Sequence, residues 1–411
     1  MLSEFFKSRV RIQALQDGPA GSLLENFAQA LSETGYATVT ARRLLRAVEH
    51  FLFWTHRHGM PVCKLHEQSL AGFRRHLSRC HCPQYGHAKQ LEVVHGAHLF
   101  LTYLRDGRIK ALRAAKLPVH DPALLSAFGQ WMRRLRGSSD RTVCIYGFYI
   151  RQLLQQLGED ASRLDARRLR TFVLERSHRG QAAAKMCTTA LRMFLRFLIA
   201  DGKCAVGLDA AIPTVAHWRL ASLPRYLQPE DVERLIASCD RASAVGRRDR
   251  AILLLLARLG LRAGDVVKLH LSDIDWKEAS IQVCGKGGHH ARLPLTQEVG
   301  QAIVAYLKKG RPRTSADRLF IHCRAPYCAF GSSSVVSMIV DSAFRRAGVV
   351  RPSPGAAHLL RHSLATSILR QGASLQDIAT ILRHHSIATT QIYAKVDIST
   401  LRQITQPWPE V

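Results

Sequence analysis

The stretch DRAILLLLARLGLRAGDVVKL, residues 249–269, decides how this chain is read. Its run AILLLLA, residues 251–257, is apolar on every side of a helix, so it predicts a helix buried at the centre of a domain. Seven such residues are far too few to span a bilayer. Gly260 breaks the pattern, and a second helix is expected from the residues behind it. Arg262 and Asp265 fall at that break.

Downstream, LSDIDW (271–276), SIQVC (280–284) and ARLPL (291–295) are short strand candidates. GKGGHH, residues 285–290, reads as the hairpin turn between the last two, with Lys286 at its tip. The pattern then returns to helix. Upstream, prolines 213, 224 and 229 mark a linker. Pro229 followed by Glu230 and Asp231 reads as a helix start, with proline in the first turn and acids at the positive end of the dipole.

Further upstream, two segments resemble each other. Residues 22–109 run from SLLENFAQAL to FLTYLRDGRI, and residues 123–204 from ALLSAFGQWM to FLRFLIADGKC. Thr38-Val39 and Thr142-Val143 each precede a long helical pattern. Both endings repeat the aromatic positions and close on Gly and a basic residue, which suits a helix C-terminus. A duplicated unit of about four helices is expected. The organisation is then a helical unit over 1–115, a second over 116–206, a linker over 207–219 and a third domain over 220–411. The fold class is mainly α with a small antiparallel sheet.

The chain of 411 residues is too long for one ordinary core, and its 47% apolar content suits a globular protein. Its 59 Lys and Arg against 31 Asp and Glu give a net charge of +28. Such a surplus repels itself in the compact state unless a polyanion meets it, and nucleic acid is the leading partner. A membrane surface would need a concentrated basic tract, whereas these residues are dispersed. Ten scattered cysteines and an N-terminus without an apolar signal core point to reduced thiols in a cytoplasmic protein.

Four local groups in the third domain carry the chemistry. GLRAGDV holds Arg262 and Asp265, and GKGG holds Lys286. HLLRHSLAT holds His358 and Arg361, three apart and so on one helix face. LRHHSIATTQIY holds His384 and Tyr393. Two arginines can grip the non-bridging oxygens of a phosphodiester and stabilise transition-state charge without a metal. A phenol becomes a nucleophile beside a base or a cationic field. A lysine can protonate a leaving oxygen, and histidines move protons near neutral pH.

In this order the four motifs resemble the tyrosine recombinases, also called phage-type integrases, over roughly residues 220–396, and residues 123–204 resemble that family's DNA-clamping helical domain. The resemblance implies that Arg262 and Arg361 bind the scissile phosphate. It makes Lys286 the general acid toward the 5′-oxygen and His358 a general base or acid. His384 hydrogen-bonds the phosphate, and Tyr393 attacks to form a 3′-phosphotyrosine. Asp265 orients the arginine helix. Two departures are visible: Arg383 stands where the family commonly has glycine, and His385 where it often has a small polar residue.

The implied partners are double-stranded DNA and further copies of the chain, as a tetramer on two DNA sites, with related recombinases of a mobile element also in view. The tail after Tyr393 is expected to dock on a neighbouring protomer. No cofactor is implied. A type IB topoisomerase and a basic DNA-binding protein without catalysis stay open as alternatives.

The segment CKLHEQSLAGFRRHLSRCHCPQYGH (63–87) holds further possible metal ligands, and Cys63, His66, Cys80 and Cys82 are the weak zinc candidates. The Cys-x-Cys spacing is not that of a common zinc finger, and Cys63 with His66 falls on another element. A polar loop joining two helices is the expectation there.

Overall fold

The computed structural model describes residues 2–18, 20–82, 85, 90–107, 109, 122–158, 164–178, 180–215, 223–285, 290–353, 355–384 and 386–397. Lys286, His385, His87 and the tail beyond Asp397 lie outside the described residues. The chain forms two compact units, residues 1–113 together with 223–411, and residues 114–222.

The first part of the larger unit is helical: α1 (Leu2–Phe5), α2 (Arg9–Gln16), α3 (Gly21–Glu33), α4 (Thr38–Arg57), α5 (Glu67–Leu77) and α6 (Gln90–Asp106). Helix α4 buries Ala41, Leu44, Leu45, Val48, Phe51 and Leu52, the three-four spacing of one helix face. Leu45 and Val48 pack with Phe27, Leu31 and Phe100, while Phe51 and Trp54 pack with Phe73 and Ala97. Gly96 of α6 lets the two helices touch, because a Cβ there would lie 2.6 Å from Ala47 Cβ. The Thr34 carbonyl accepts the Tyr327 N–H at 3.2 Å, so the α3–α4 turn meets the later part of the same unit.

The smaller unit comprises α7 (Ala123–Arg136), α8 (Asp140–Leu157), α9 (Ala166–Ser177) and α10 (Gln181–Ala200). Ser139 and Asp165 cap α8 and α9 by accepting the N–H groups of Thr142 and Arg168. Phe128, Leu153, Leu191 and Phe194 fill its core. Helices α3 to α6 have 13, 20, 11 and 17 residues, and α7 to α10 have 14, 18, 12 and 20. The order short, long, short, long recurs in the two sets.

The second part of the larger unit starts with α11 (Pro229–Ala237), with Pro229 in its first turn and Glu230 and Asp231 beside it. Helix α12 (Ala244–Arg258) follows, capped by Ser243. Its residues Ile252 to Leu256 are 0% exposed, so this helix is buried on every side. Helix α13 (Ala263–Lys268) comes next, then the sheet of β1 (Ile274–Asp275), β2 (Ser280–Cys284) and β3 (His290–Pro294). The sheet is antiparallel in the order β1-β2-β3, with Ile281 opposite Leu293 and Cys284 opposite His290. The first strand is shorter than its sequence suggests. Asp273 turns back to accept the His270 N–H at 2.7 Å, which folds residues 271–273 into a helical turn.

Helices α14 (Gln297–Lys309), α15 (Ser333–Ala347), α16 (Ala356–Arg370) and α17 (Leu375–Ile381) complete the unit, and two 3-10 turns, Ile387–Thr389 and Gln391–Val396, follow. Among the described residues, no helix is long and apolar enough to cross a membrane.

Candidate active site

Helix α12 ends where Gly260 adopts φ +57°, and the Leu261 N–H reaches back to the Leu255 carbonyl. This conformation favours glycine. A Cβ at Gly260 would also lie 2.8 Å from Leu382 Cδ2 and 3.0 Å from Leu364 Cδ2. The turn places Arg262 at the start of α13, where the Asp265 carboxylate accepts the Arg262 backbone N–H at 3.3 Å.

Helix α17 ends in a motif with the same need. The Arg383 N–H bonds the Thr380 carbonyl at 3.0 Å and the His384 N–H bonds the Ala379 carbonyl at 2.9 Å. That pairing is the Schellman motif, which puts the residue after the C-cap in the left-handed region, here Arg383 at φ +53°. It gives a physical reason for a glycine preference at this position. A side chain there costs about 1–2 kcal/mol, and here it carries a guanidinium into the site. Arg383 Nη2 pairs with Asp265 at 3.1 Å, while its Nε and Nη1 are buried with no hydrogen-bond partner among the described residues.

The two helix ends meet at Arg361 of α16, which is 4% exposed. Its guanidinium donates to the carbonyls of Gly260 and Leu382. The last carbonyls of a helix lack intrahelical partners and lie at its negative end, so a buried cation is well placed there. Arg262 reaches the same place, donating from Nη2 to the Arg383 carbonyl at 3.3 Å. Burial, then Arg262 and Arg383, lower Arg361 to about 9, which leaves it cationic at neutral pH. Three guanidiniums thus meet one carboxylate, Asp265, and the surplus is positive.

Tyr393 sits in the second 3-10 turn, 1% exposed, packed with Ala365, Leu369, Ile378 and Leu382. Its hydroxyl lies 2.7 Å from His362 Nδ1. Burial pushes the phenol up to about 12, against the opposing pull of Arg361. His362 is brought down to about 4 by burial, His358 and Arg361. It is therefore neutral at pH 7, and in the tautomer protonated on Nε2 its Nδ1 accepts a hydrogen bond from the Tyr393 hydroxyl. His384 is lowered to about 4 by burial, then Arg361 and Arg262, and its Nδ1 lies 2.7 Å from Thr390 Oγ1. The Thr390 carbonyl in turn accepts the Tyr393 N–H at 2.9 Å. His358 lies on the open face of α16, its ring 6.5 Å from that of His362. Partial burial, then Arg361 and Arg262, lower its pKa.

The structure therefore brings together Arg262, Asp265, His358, Arg361, His384 and Tyr393. Residues on both sides of Lys286 pair in β2 and β3, and Lys286 itself is outside the described residues. Sequence reasoning missed His362, the tyrosine's own partner. Its signal was the second histidine of HLLRHS, next to Arg361 and four residues after His358. Sequence reasoning noted Arg383 only as a departure, although the structure adds it to the cationic cluster. For the zinc candidates, the structure does not bring Cys63 and His66 to Cys80 and Cys82. Cys63 is exposed in the 62–64 turn, and His66 caps α5 with its ring on Ser69 at 2.9 Å.

Residues 225–399 match the phage integrase family model. A Sinorhizobium fredii protein named "Putative integrase/recombinase y4rA" is 36% identical over 403 residues, covering 96% of this chain and 95% of that one. This chain belongs to the tyrosine recombinase family. The tyrosine recombinase XerD of Listeria innocua is 32% identical over 221 residues, 52% of this chain and 72% of its own. The fold is shared with XerH site-specific recombinase bound to a palindromic difH substrate in a post-cleavage complex. The TM-score is 0.56 at 18% identity, over 83% of this chain and 95% of that one. A lambda integrase dimer bound to a COC′ core site gives 0.52 at 18% identity, over 70% and 98%. Tyrosine recombinase membership supports site-specific recombination, with DNA strand cleavage and rejoining as the general kind of reaction.

Proposed function

We propose that this tyrosine recombinase cleaves and rejoins double-stranded DNA through a 3′-phosphotyrosine at Tyr393, serving integration, excision or transposition of a mobile element. One observation carries the reading. Among the described residues of the cluster, the side chain suited to covalent attack, Tyr393, has its hydroxyl on a neutral imidazole beside three guanidiniums in charge excess. A phosphodiester supplies the missing anion.

Arg262 and Arg361 hold the two non-bridging oxygens, and Arg383 adds a third cation behind them. His384, fixed by Thr390, donates to one of those oxygens. The Tyr393 oxygen forms the new bond to phosphorus as His362 Nδ1 takes its proton. The bond to the 5′-oxygen breaks, and that oxygen leaves as a hydroxyl with a proton from Lys286. His358, on the open face, exchanges protons with the reacting groups. The phosphotyrosine keeps the bond energy, so the 5′-hydroxyl of another strand reseals it and frees Tyr393. Strand exchange between two duplexes calls for four copies of the chain.

Tyr393→Phe removes one oxygen and keeps the ring. Cleavage of a duplex carrying the recombination site should vanish while binding to it stays within about twofold, since losing a nucleophile is not a graded effect. Cleavage surviving in Tyr393→Phe would remove this reading.

A further inference from the structure

His50, His76, Cys80 and Cys82 lie far along the chain from the catalytic residues. His50 is on the buried side of α4, His76 in the last turn of α5, and the two cysteines in the segment just after it. One ligand atom from each of the four falls within 4.8 Å of all the others. Cys80 Sγ is 3.4 Å from His50 Nε2, and Cys82 Sγ is 3.4 Å from His76 Nε2. A tetrahedral zinc with bonds of about 2.3 Å to sulfur and about 2.0 Å to nitrogen separates its ligand atoms by about 3.3–3.8 Å.

From this convergence we infer that His50, His76, Cys80 and Cys82 form a structural zinc site. Two separate thiol–imidazole hydrogen bonds would need only two pairs, not four atoms gathered round one point. The donors are two sulfurs and two imidazole nitrogens with no oxygen, which suits zinc and disfavours calcium or magnesium. Two thiolates and two neutral imidazoles cancel the charge of Zn²⁺. That neutrality fits the apolar surroundings: the Phe73 ring lies 5.1 Å from that of His50, and the Trp54 ring 6.0 Å from that of His76.

The supporting contacts are in place as well. The Cys80 sulfur accepts the Cys82 N–H at 3.4 Å, a bond that favours the thiolate. The Tyr85 ring stacks on His50 at 4.2 Å and 7°. Four protein ligands leave no open position, so the role is to hold the fold. The ion ties the segment after α5 to α4, in a stretch where the chain otherwise supplies few apolar residues.

The test uses the full-length protein, made in zinc-supplemented medium and purified without chelator. Elemental analysis should find one zinc per chain. Replacement by cobalt should give the visible absorption of a tetrahedral ion with thiolate ligands. The pair Cys80→Ser and Cys82→Ser should lose both signals, whereas Cys63→Ser and His66→Ala should keep them. Stripping the wild-type protein with a strong chelator should lower its melting temperature, and added zinc should restore it. If the double-serine chain fails to fold, the cobalt spectrum of the wild-type protein still decides. Wild-type protein without zinc or a tetrahedral cobalt spectrum would overturn the inference, as would a Cys80–Cys82 disulfide in its place. Zinc retained in the double-serine chain, or lost in Cys63→Ser, would also overturn it.

Discussion

The buried Tyr393 hydroxyl lies 2.7 Å from Nδ1 of the half-buried His362, a short path for its proton. His362→Gln removes that acceptor. Cleavage should fall about 100-fold with DNA binding unchanged, read from single-turnover rates and a binding titration. The histidines also set an acid limit to stability. His362 and His384 fall from an ordinary 6.5 to about 4 in the folded chain. The unfolded chain takes up these protons first, so their contribution is complete above about pH 6.5 and is lost as pH falls toward 4. Melting temperature should therefore drop from about pH 7.5 to about pH 5, and drop less in a His384→Gln chain. An equal drop in both would show that His384 is not held neutral. Most of the residues gathered here were legible in the sequence through the resemblance of four ordered motifs to the tyrosine recombinases. His358 and Arg361 are three apart on a helix, and the motifs keep a fixed order. His362 was not, because its contact with Tyr393 spans 31 positions and depends on how α16 meets the final turn.

The site stands on three element ends. Arg361 binds carbonyls where α12 and α17 stop, so the conformation of two C-terminal turns sets the geometry of the guanidiniums. Gly260→Ala tests this directly. The left-handed residue alone costs about 1–2 kcal/mol. The new Cβ would also press on Leu382, whose carbonyl anchors Arg361. Chemical denaturation should show a loss of at least about 2 kcal/mol. Cleavage under conditions where the variant is folded should fall by more than tenfold, since the clamp moves with Leu382. A variant with unaltered cleavage would separate that turn from the chemistry. The break at Gly260 was legible as punctuation after AILLLLA. The anchoring carbonyls were not, because every residue carries one and only the packing selects those of Gly260 and Leu382. Likewise the β2–β3 hairpin followed from two short strand candidates flanking a glycine-rich turn, whereas β1 shrank because Asp273 caps a turn that competes with the strand.

At the scale of the molecule, charge and repetition were the clearest signals. The recurring order of helix lengths has a sequence counterpart in the paired endings FLTYLRDGRI and FLRFLIADGKC. The association of the first helices with the later part of the larger unit was not, because it runs through a backbone bond from Tyr327 to Thr34. His50 was missed for a similar reason, being 26 positions before His76 with nothing between them to mark a pair. The net charge of +28 should appear in binding. Each phosphate neutralised contributes about −0.9 to the log–log slope of affinity against salt, and a full core site should give a slope of about −5 or steeper. A flat response would remove DNA as the partner of that charge. The most direct measurement concerns the covalent bond itself. A nicked duplex that lets the cleaved fragment diffuse away should trap the chain as an adduct stable to denaturant, and the DNA-bearing peptide should then be sequenced. The expected peptide carries the DNA on Tyr393. A peptide carrying it on another residue, Tyr327 for example, would contradict the assignment of the whole site.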